Sequence, residues 1–94
     1  MYLVTYDISS DRLRGKVAKK LEDYGRRVQY SVFECRMDAK RCKAMHRELV
    51  KLIGQEEQAG IRIYVLDAAA EQKTLTIGTS GYIQPDEELD VLFI

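Results

Sequence analysis

Asp7 is the residue whose type and position first suggest chemistry. It closes the run Met1-Tyr2-Leu3-Val4-Thr5-Tyr6-Asp7, in which Tyr2 to Tyr6 are aromatic, β-branched or apolar, the mixture of a strand buried on both faces. A carboxylate where a rigid strand gives way to the loop Ile8-Ser9-Ser10-Asp11 is firmly held and still within reach of water. That placement suits a metal ligand or a general base, because the scaffold fixes its position. An aspartate ahead of a helix also serves simply to cap it. From this stretch alone both readings stand.

Basic residues follow closely. Residues 1–47 carry twelve Lys/Arg against six Asp/Glu, and residues 48–94 carry three against nine, so a formal net charge of zero hides a +6 half and a −6 half. Such asymmetry points toward phosphate-bearing partners, although two solvated faces that neutralise each other give the same totals. Among other site chemistries, zinc is disfavoured: Cys35 and Cys42 lack ligand spacing and a histidine partner. His46, the single histidine, sits beside an apolar helical stripe with no acid or nucleophile at a recognisable spacing, and reads as a helix-surface residue.

The elements that must position Asp7 follow from periodicity. At 94 residues the chain predicts one domain, residues 1–94, small enough to gain from association with a second subunit. Asp11 or Ser10 caps a helix running to about Tyr24, with Leu13, Val17, Leu21 and Tyr24 facing the core and Gly25 as its left-handed stop. Arg12, Lys16, Lys19 and Lys20 populate its outer side and flanks, as a solvated face or as phosphate contacts. Arg26 to Arg36 alternates as a second strand, bent near Ser31 to Glu34 where the period slips. Asp38 caps a second helix to about Ile53, with Cys42, Met45, Leu49, Leu52 and Ile53 on one stripe and Gly54 at its end.

Ile61 to Asp67 reads as a later strand, and Lys73 to Ile77 as a short one stopped by Gly78. The order is that of an α+β, ferredoxin-like β-α-β-β-α-β fold, an antiparallel sheet with two helices on one face and an extra C-terminal strand. Its third strand is the hardest to place, since the segment from Met37 offers little strand of its own. Past Pro85 and the acidic run Asp86-Glu87-Glu88, the chain ends Leu89-Asp90-Val91-Leu92-Phe93-Ile94. An apolar, strand-prone tail over residues 82–94 either docks on its own sheet or contributes to dimerisation. No stretch resembles a signal peptide or a membrane span, so a reduced cytoplasmic protein is the expectation.

Three motifs together resemble the CRISPR-associated Cas-two family, the small core subunit of the spacer-acquisition machinery. They are Tyr6-Asp7-Ile8, Arg14 with Lys16, and Tyr24-Gly25-Arg26-Arg27-Val28-Gln29-Tyr30-Ser31-Val32-Phe33-Glu34. The likeness covers nearly the whole chain. It implies a ferredoxin-like homodimer that partners the Cas-one integrase in inserting protospacer DNA, with metal-dependent nuclease activity on RNA or DNA in some members. By position, Asp7 matches the family's magnesium ligand (manganese being a substitute), Arg14 a supporting basic residue, and Arg27, Ser31 and Phe33 residues of the second strand near the proposed site. Lys16 stands where some members carry arginine, which keeps charge and loses bidentate geometry. Arg12, Arg14, Lys16, Lys19, Lys20, Arg26 and Arg27 are the candidate nucleic-acid contacts.

Two functions follow from the resemblance: a magnesium-dependent phosphodiesterase centred on paired Asp7 residues, or a non-catalytic dimeric scaffold that bridges integrase subunits and holds duplex DNA. A small ferredoxin-like RNA-binding domain is disfavoured, because the aromatic Gly-Phe-type ribonucleoprotein motif is missing.

Overall fold

A computed structural model describes residues 1–78. The expected tail of residues 82–94, its turn at Pro85, its acidic run and its terminal strand lie outside them. The described elements run β1 (Tyr2–Ile8), α1 (Asp11–Leu21), β2 (Arg26–Gln29), β3 (Val32–Cys35), α2 (Ala39–Ile53), β4 (Ala59–Val65) and α3 (Ala68–Gln72). The four strands form one sheet in the order β2-β3-β1-β4, antiparallel at every pairing. This is the ferredoxin-like plan, with β3 inserted between the two parallel strands β1 and β2.

β1 is covered on one face. Val4, Tyr6 and Ile8 are buried, while Leu3 and Thr5 are half-buried and Asp7 is exposed. The expectation of a strand buried on both faces fails because α1 and α2 share one side of the sheet. Val4, Tyr6, Ile8, Phe33 and Cys35 join Val17, Ala18, Leu21, Met45 and Leu49 in a single core. No described element covers the other side.

Ser10 supplies the cap of α1, accepting from the Leu13 amide at 3.1 Å. The helix ends at Leu21 rather than Tyr24, and a turn follows in which the Tyr24 and Gly25 amides both donate to the Leu21 carbonyl at 3.0 Å. Gly25 is not the left-handed stop expected of it, since the positive-φ glycines among the described residues are Gly54 and Gly78. Gly25 is required for closeness instead. A Cβ there would lie 2.2 Å from the Glu34 carbonyl oxygen and 2.6 Å from Cys35 Sγ.

The stretch Arg26 to Arg36 is two strands rather than one bent strand. Tyr30 and Ser31 form the reversal, and the register shifts between Arg27 and Gln29. The slip in period marked this hairpin. It yields the second strand and the third, which was hardest to place, from one stretch, so the chain passes from β3 through Arg36, Met37 and Asp38 into α2 with no further strand. Asp38 caps α2 and Gly54, at φ 55°, ends it, as the sequence implied.

β4 begins at Ala59 and stops at Val65, short of the expected Asp67. Asp67 instead accepts from the Ala70 amide at 2.8 Å and caps α3, which the Asp-Ala-Ala-Ala pattern foreshadows. α3 is tied back by Glu71, which accepts from Arg36 at 2.6 Å. The strand expected over Lys73 to Ile77 is absent: no described strand lies beside residues 74–77, and Leu75 and Ile77 are 83% and 95% exposed.

Candidate nucleic-acid and phosphodiester site

The alternation of β1 divides the candidate residues between two faces of the sheet. On the uncovered face Asp7 stands opposite Gly60 of β4, in a shallow depression with Thr5, Arg62 and Tyr64. Gly60 has no side chain to fill this space, and a Cβ there would meet nothing within 4 Å. Arg62 donates to the Tyr64 hydroxyl at 3.3 Å. The Asp7 carboxylate makes no hydrogen bond or ion pair to another described residue, and no group of three His, Cys, Asp or Glu side chains gathers among the described residues. A magnesium ion seeks six oxygens. One chain's described residues do not make that site by themselves.

The other candidates gather on the helix side, at the hairpin end of the sheet. Arg27 faces Phe33 across the β2–β3 ladder, with its guanidinium 5.4 Å from the Phe33 ring centre. It donates at 3.2 Å to the Tyr6 hydroxyl, which in turn donates at 3.2 Å to the Tyr30 carbonyl. Phe33 is 0% exposed, a core residue whose ring centre lies 6.3 Å from that of Tyr6. Ser31 is half-buried in the reversal, where its carbonyl accepts from the Tyr6 amide at 3.1 Å. Arg14, in the first turns of α1, donates at 2.8 Å to the Ile8 carbonyl, pairs with Asp11, and lies over the Tyr30 ring at 5.9 Å. The hydrogen bond that Arg14 donates to the Asp11 carboxylate raises the pKa of Arg14, so this cation keeps its charge at any working pH.

Asp7 therefore faces away from Arg27 and Phe33 within one chain, on the other side of the sheet. The two arginines hold its neighbours instead, Arg27 through the Tyr6 hydroxyl and Arg14 through the Ile8 carbonyl.

The remaining cations sort by their partners. Arg26 pairs with Glu34 at 3.0 Å across the hairpin, and Lys20 lies 3.8 Å from Glu48. Arg12, Lys16 and Lys19 are exposed on one stripe of α1 and have no acidic partner among the described residues. Sequence reasoning missed a second exposed row on α2, Lys40, Lys43, Arg47 and Lys51, although its helical spacing was legible. It also passed over Tyr6 and Tyr30 as site residues; their roles depend on the hairpin, which brings distant positions together. His46 is exposed on α2, as expected. No helix of the described residues is long and apolar enough to cross a membrane.

Comparison with known proteins matches this architecture to one family. The model of CRISPR associated protein Cas2 matches residues 1–74. The chain is 40% identical over 93 residues to a CRISPR-associated endoribonuclease Cas2 of Chloroflexus aurantiacus, covering 99% of this chain and 98% of that one. It is 37% identical over 94 residues to the CRISPR-associated endonuclease Cas2 of Halalkalibacterium halodurans, covering 95% and 97%. Among solved structures, Streptococcus pyogenes Cas2 superposes with a TM-score of 0.70 at 33% identity, covering 82% of this chain and 98% of that chain. A chain of a partial Cas6-RT-Cas1–Cas2 complex superposes with a TM-score of 0.72 at 32% identity, covering 80% and 81%.

Proposed function

Because this chain belongs to the CRISPR-associated Cas2 family, we propose that it is a homodimeric, nucleic-acid-binding subunit of CRISPR spacer acquisition that joins the Cas1 integrase. Its likeness to a chain of a complex that contains Cas1 carries this reading. The exposed stripe Arg12, Lys16 and Lys19 supports a grip on protospacer DNA, because cations without acidic neighbours are available to phosphates. Such contacts fix position on the duplex and read no sequence. The test is reconstitution: the full chain is mixed with its Cas1 protein and assayed for co-elution and for insertion of a duplex into a CRISPR array. A chain that neither co-elutes with Cas1 nor is needed for insertion is not this subunit.

A second reading adds hydrolysis of RNA or DNA, and the exposure of Asp7 favours it. The uncovered face of β1 leaves the carboxylate open to a second copy of the sheet. A two-fold axis there would bring two Asp7 groups to one magnesium or manganese ion, with water and substrate phosphate oxygens completing the shell. Bound there, the ion would supply an activated water and offset the charge that builds on the phosphorus oxygens. Arg14 and Arg27 then act as positioning residues, since they hold Ile8 and Tyr6 on either side of Asp7. If Asp7 serves neither metal nor substrate, the chain is a scaffold alone.

A further inference from the structure

Tyr30 is exposed in a way its surroundings do not require for folding. It sits in the two-residue reversal between β2 and β3, and 61% of its surface remains open to water. Its backbone, by contrast, is tightly held. The Tyr6 hydroxyl donates to the Tyr30 carbonyl, and the Tyr6 amide donates to the carbonyl of the next residue, Ser31. The Arg14 guanidinium lies 5.9 Å from the centre of the ring. Arg14 is itself fixed by the Ile8 carbonyl and by Asp11, so it is a stationary support rather than a roaming side chain. No other described aromatic ring stacks on Tyr30.

We propose that Tyr30, backed by Arg14, is a stacking platform for an unpaired nucleobase. The inference deepens the nucleic-acid reading above and rests on it. An aromatic ring with a cation over it and most of the residue's surface open to water matches how proteins hold splayed or single-stranded bases, whose π-faces stack on Tyr and on guanidinium planes alike. The rigid backbone lowers the cost of binding, because the ring is already presented before the ligand arrives. The neighbouring first turns of α1 carry Arg12 and Lys16, exposed and suited to phosphates of the same strand. A base in the interior of a duplex is already stacked on both sides and gains nothing from such a ring. The ligand is therefore a duplex end with an overhang, or a strand gap, rather than continuous double helix.

The experiment compares the full chain with Tyr30→Phe and Tyr30→Ala on a blunt duplex and on the same duplex with a short overhang. The overhang carries 2-aminopurine at its first unpaired position. The platform predicts that wild type binds the overhang duplex about tenfold tighter than the blunt one, since one stacked base is worth roughly that factor or more, and that its fluorescence is quenched on binding. Tyr30→Phe keeps the ring and should keep both effects. Tyr30→Ala should bring the affinity ratio to about one and remove the quenching. A Tyr30→Ala protein with native circular dichroism that retains the ratio and the quenching overturns the platform. Failure of wild type to bind either duplex overturns the nucleic-acid reading itself, and the platform with it.

Discussion

Asp7 and Arg27 lie on opposite faces of one sheet. Arg27 is turned toward Phe33 and the Tyr6 hydroxyl on the helix side, while Asp7, next to Tyr6 in β1, is exposed on the uncovered side. The separation follows from the two-residue period of a strand, which sends neighbours to opposite faces. A carboxylate and a guanidinium that both serve one phosphodiester would then have to do so through different copies of the chain, or one of them must act indirectly. The bond from Arg27 to Tyr6 supplies the indirect route.

That geometry makes Asp7→Asn a clean substitution. The Asp7 carboxylate makes no hydrogen bond or ion pair to another described residue, so stability should change by less than about 0.5 kcal/mol. Hydrolysis, if it belongs to this chain, should disappear along with its dependence on magnesium or manganese. Parallel nuclease assays on RNA and DNA, with and without chelator, check this. Undiminished cleavage by repurified Asp7→Asn protein would exclude Asp7 as the metal ligand, and intact spacer insertion without cleavage would favour the scaffold.

Tyr6→Phe tests the hydrogen-bond bridge from Arg27 through Tyr6 to Tyr30. The substitution removes a hydroxyl that accepts from Arg27 and donates to the Tyr30 carbonyl. The loss should cost about 1–3 kcal/mol, because it removes one hydrogen bond from a charged donor and one to a backbone carbonyl. Denaturant unfolding measures it, and a midpoint equal to wild type would show that the bridge contributes nothing.

Gly25→Ala should be more damaging than its size suggests. The added Cβ would meet a backbone oxygen, Glu34 O, at 2.2 Å, and the β3 backbone cannot rotate away as a side chain would. Overpacking of this kind costs about 1–3 kcal/mol or more, and thermal unfolding would report it. A variant as stable as wild type would mean that the Gly25 turn can move away from β3.

Gly25 also shows how far the sequence could be read. Its place after an apolar helical stripe suggested a left-handed helix stop, whereas α1 ends at Leu21 and the reason for Gly25, closeness to Glu34 and Cys35, depends on a contact across the fold. The same contrast runs through the chain. Asp38 and Gly54 bound α2 by local chemistry, and both were legible. The hairpin at Tyr30 and Ser31 has no Asn-Gly or Gly-containing turn to advertise it, so the slipped period read as a bend. Lys73 to Ile77 has strand-forming residues, but a strand needs a neighbour, and none is described beside it. The grouping of Asp7 with Phe33 came from likeness of motifs, which carries no information about which face a side chain takes.

Cys35 gives a pH-dependent signature. Burial raises its thiol from 9.0 to about 11, with smaller contributions from Cys42 and Glu34. The unfolded chain loses this proton near pH 9 while the folded chain keeps it, so the unfolded state binds fewer protons and stability falls as pH rises. The contribution is intact below about pH 9 and is lost between there and about pH 11, by at most roughly 1 kcal/mol per pH unit. Unfolding of wild type and Cys35→Ala across this range should therefore show the steeper decline in wild type. Thiol reagents at neutral pH should label Cys42, which is half-buried, well before Cys35. Parallel pH curves for the two proteins would refute the assignment.

The α1 stripe yields the sharpest test of nucleic-acid binding. Arg12, Lys16 and Lys19 recur at helical spacing over about 10 Å of axis, as 1.5 Å per residue requires. None has an acidic partner among the described residues, so each should release a counterion when it meets a phosphate. Three such contacts predict that duplex affinity falls about tenfold to a hundredfold between 50 and 200 mM salt, independent of sequence. Removing one cation, as in Lys16→Ala, should weaken binding uniformly and lower the slope of log affinity against log salt by about 1. Arg26 and Lys20 differ, because each already has an acidic neighbour, Glu34 for one and Glu48 for the other. Arg26→Ala and Lys20→Ala should therefore change the slope less than Lys16→Ala does. Titrations at four or five salt concentrations separate the two groups. A slope for Lys16→Ala equal to that of wild type would mean that this position of the α1 stripe does not contact the phosphates.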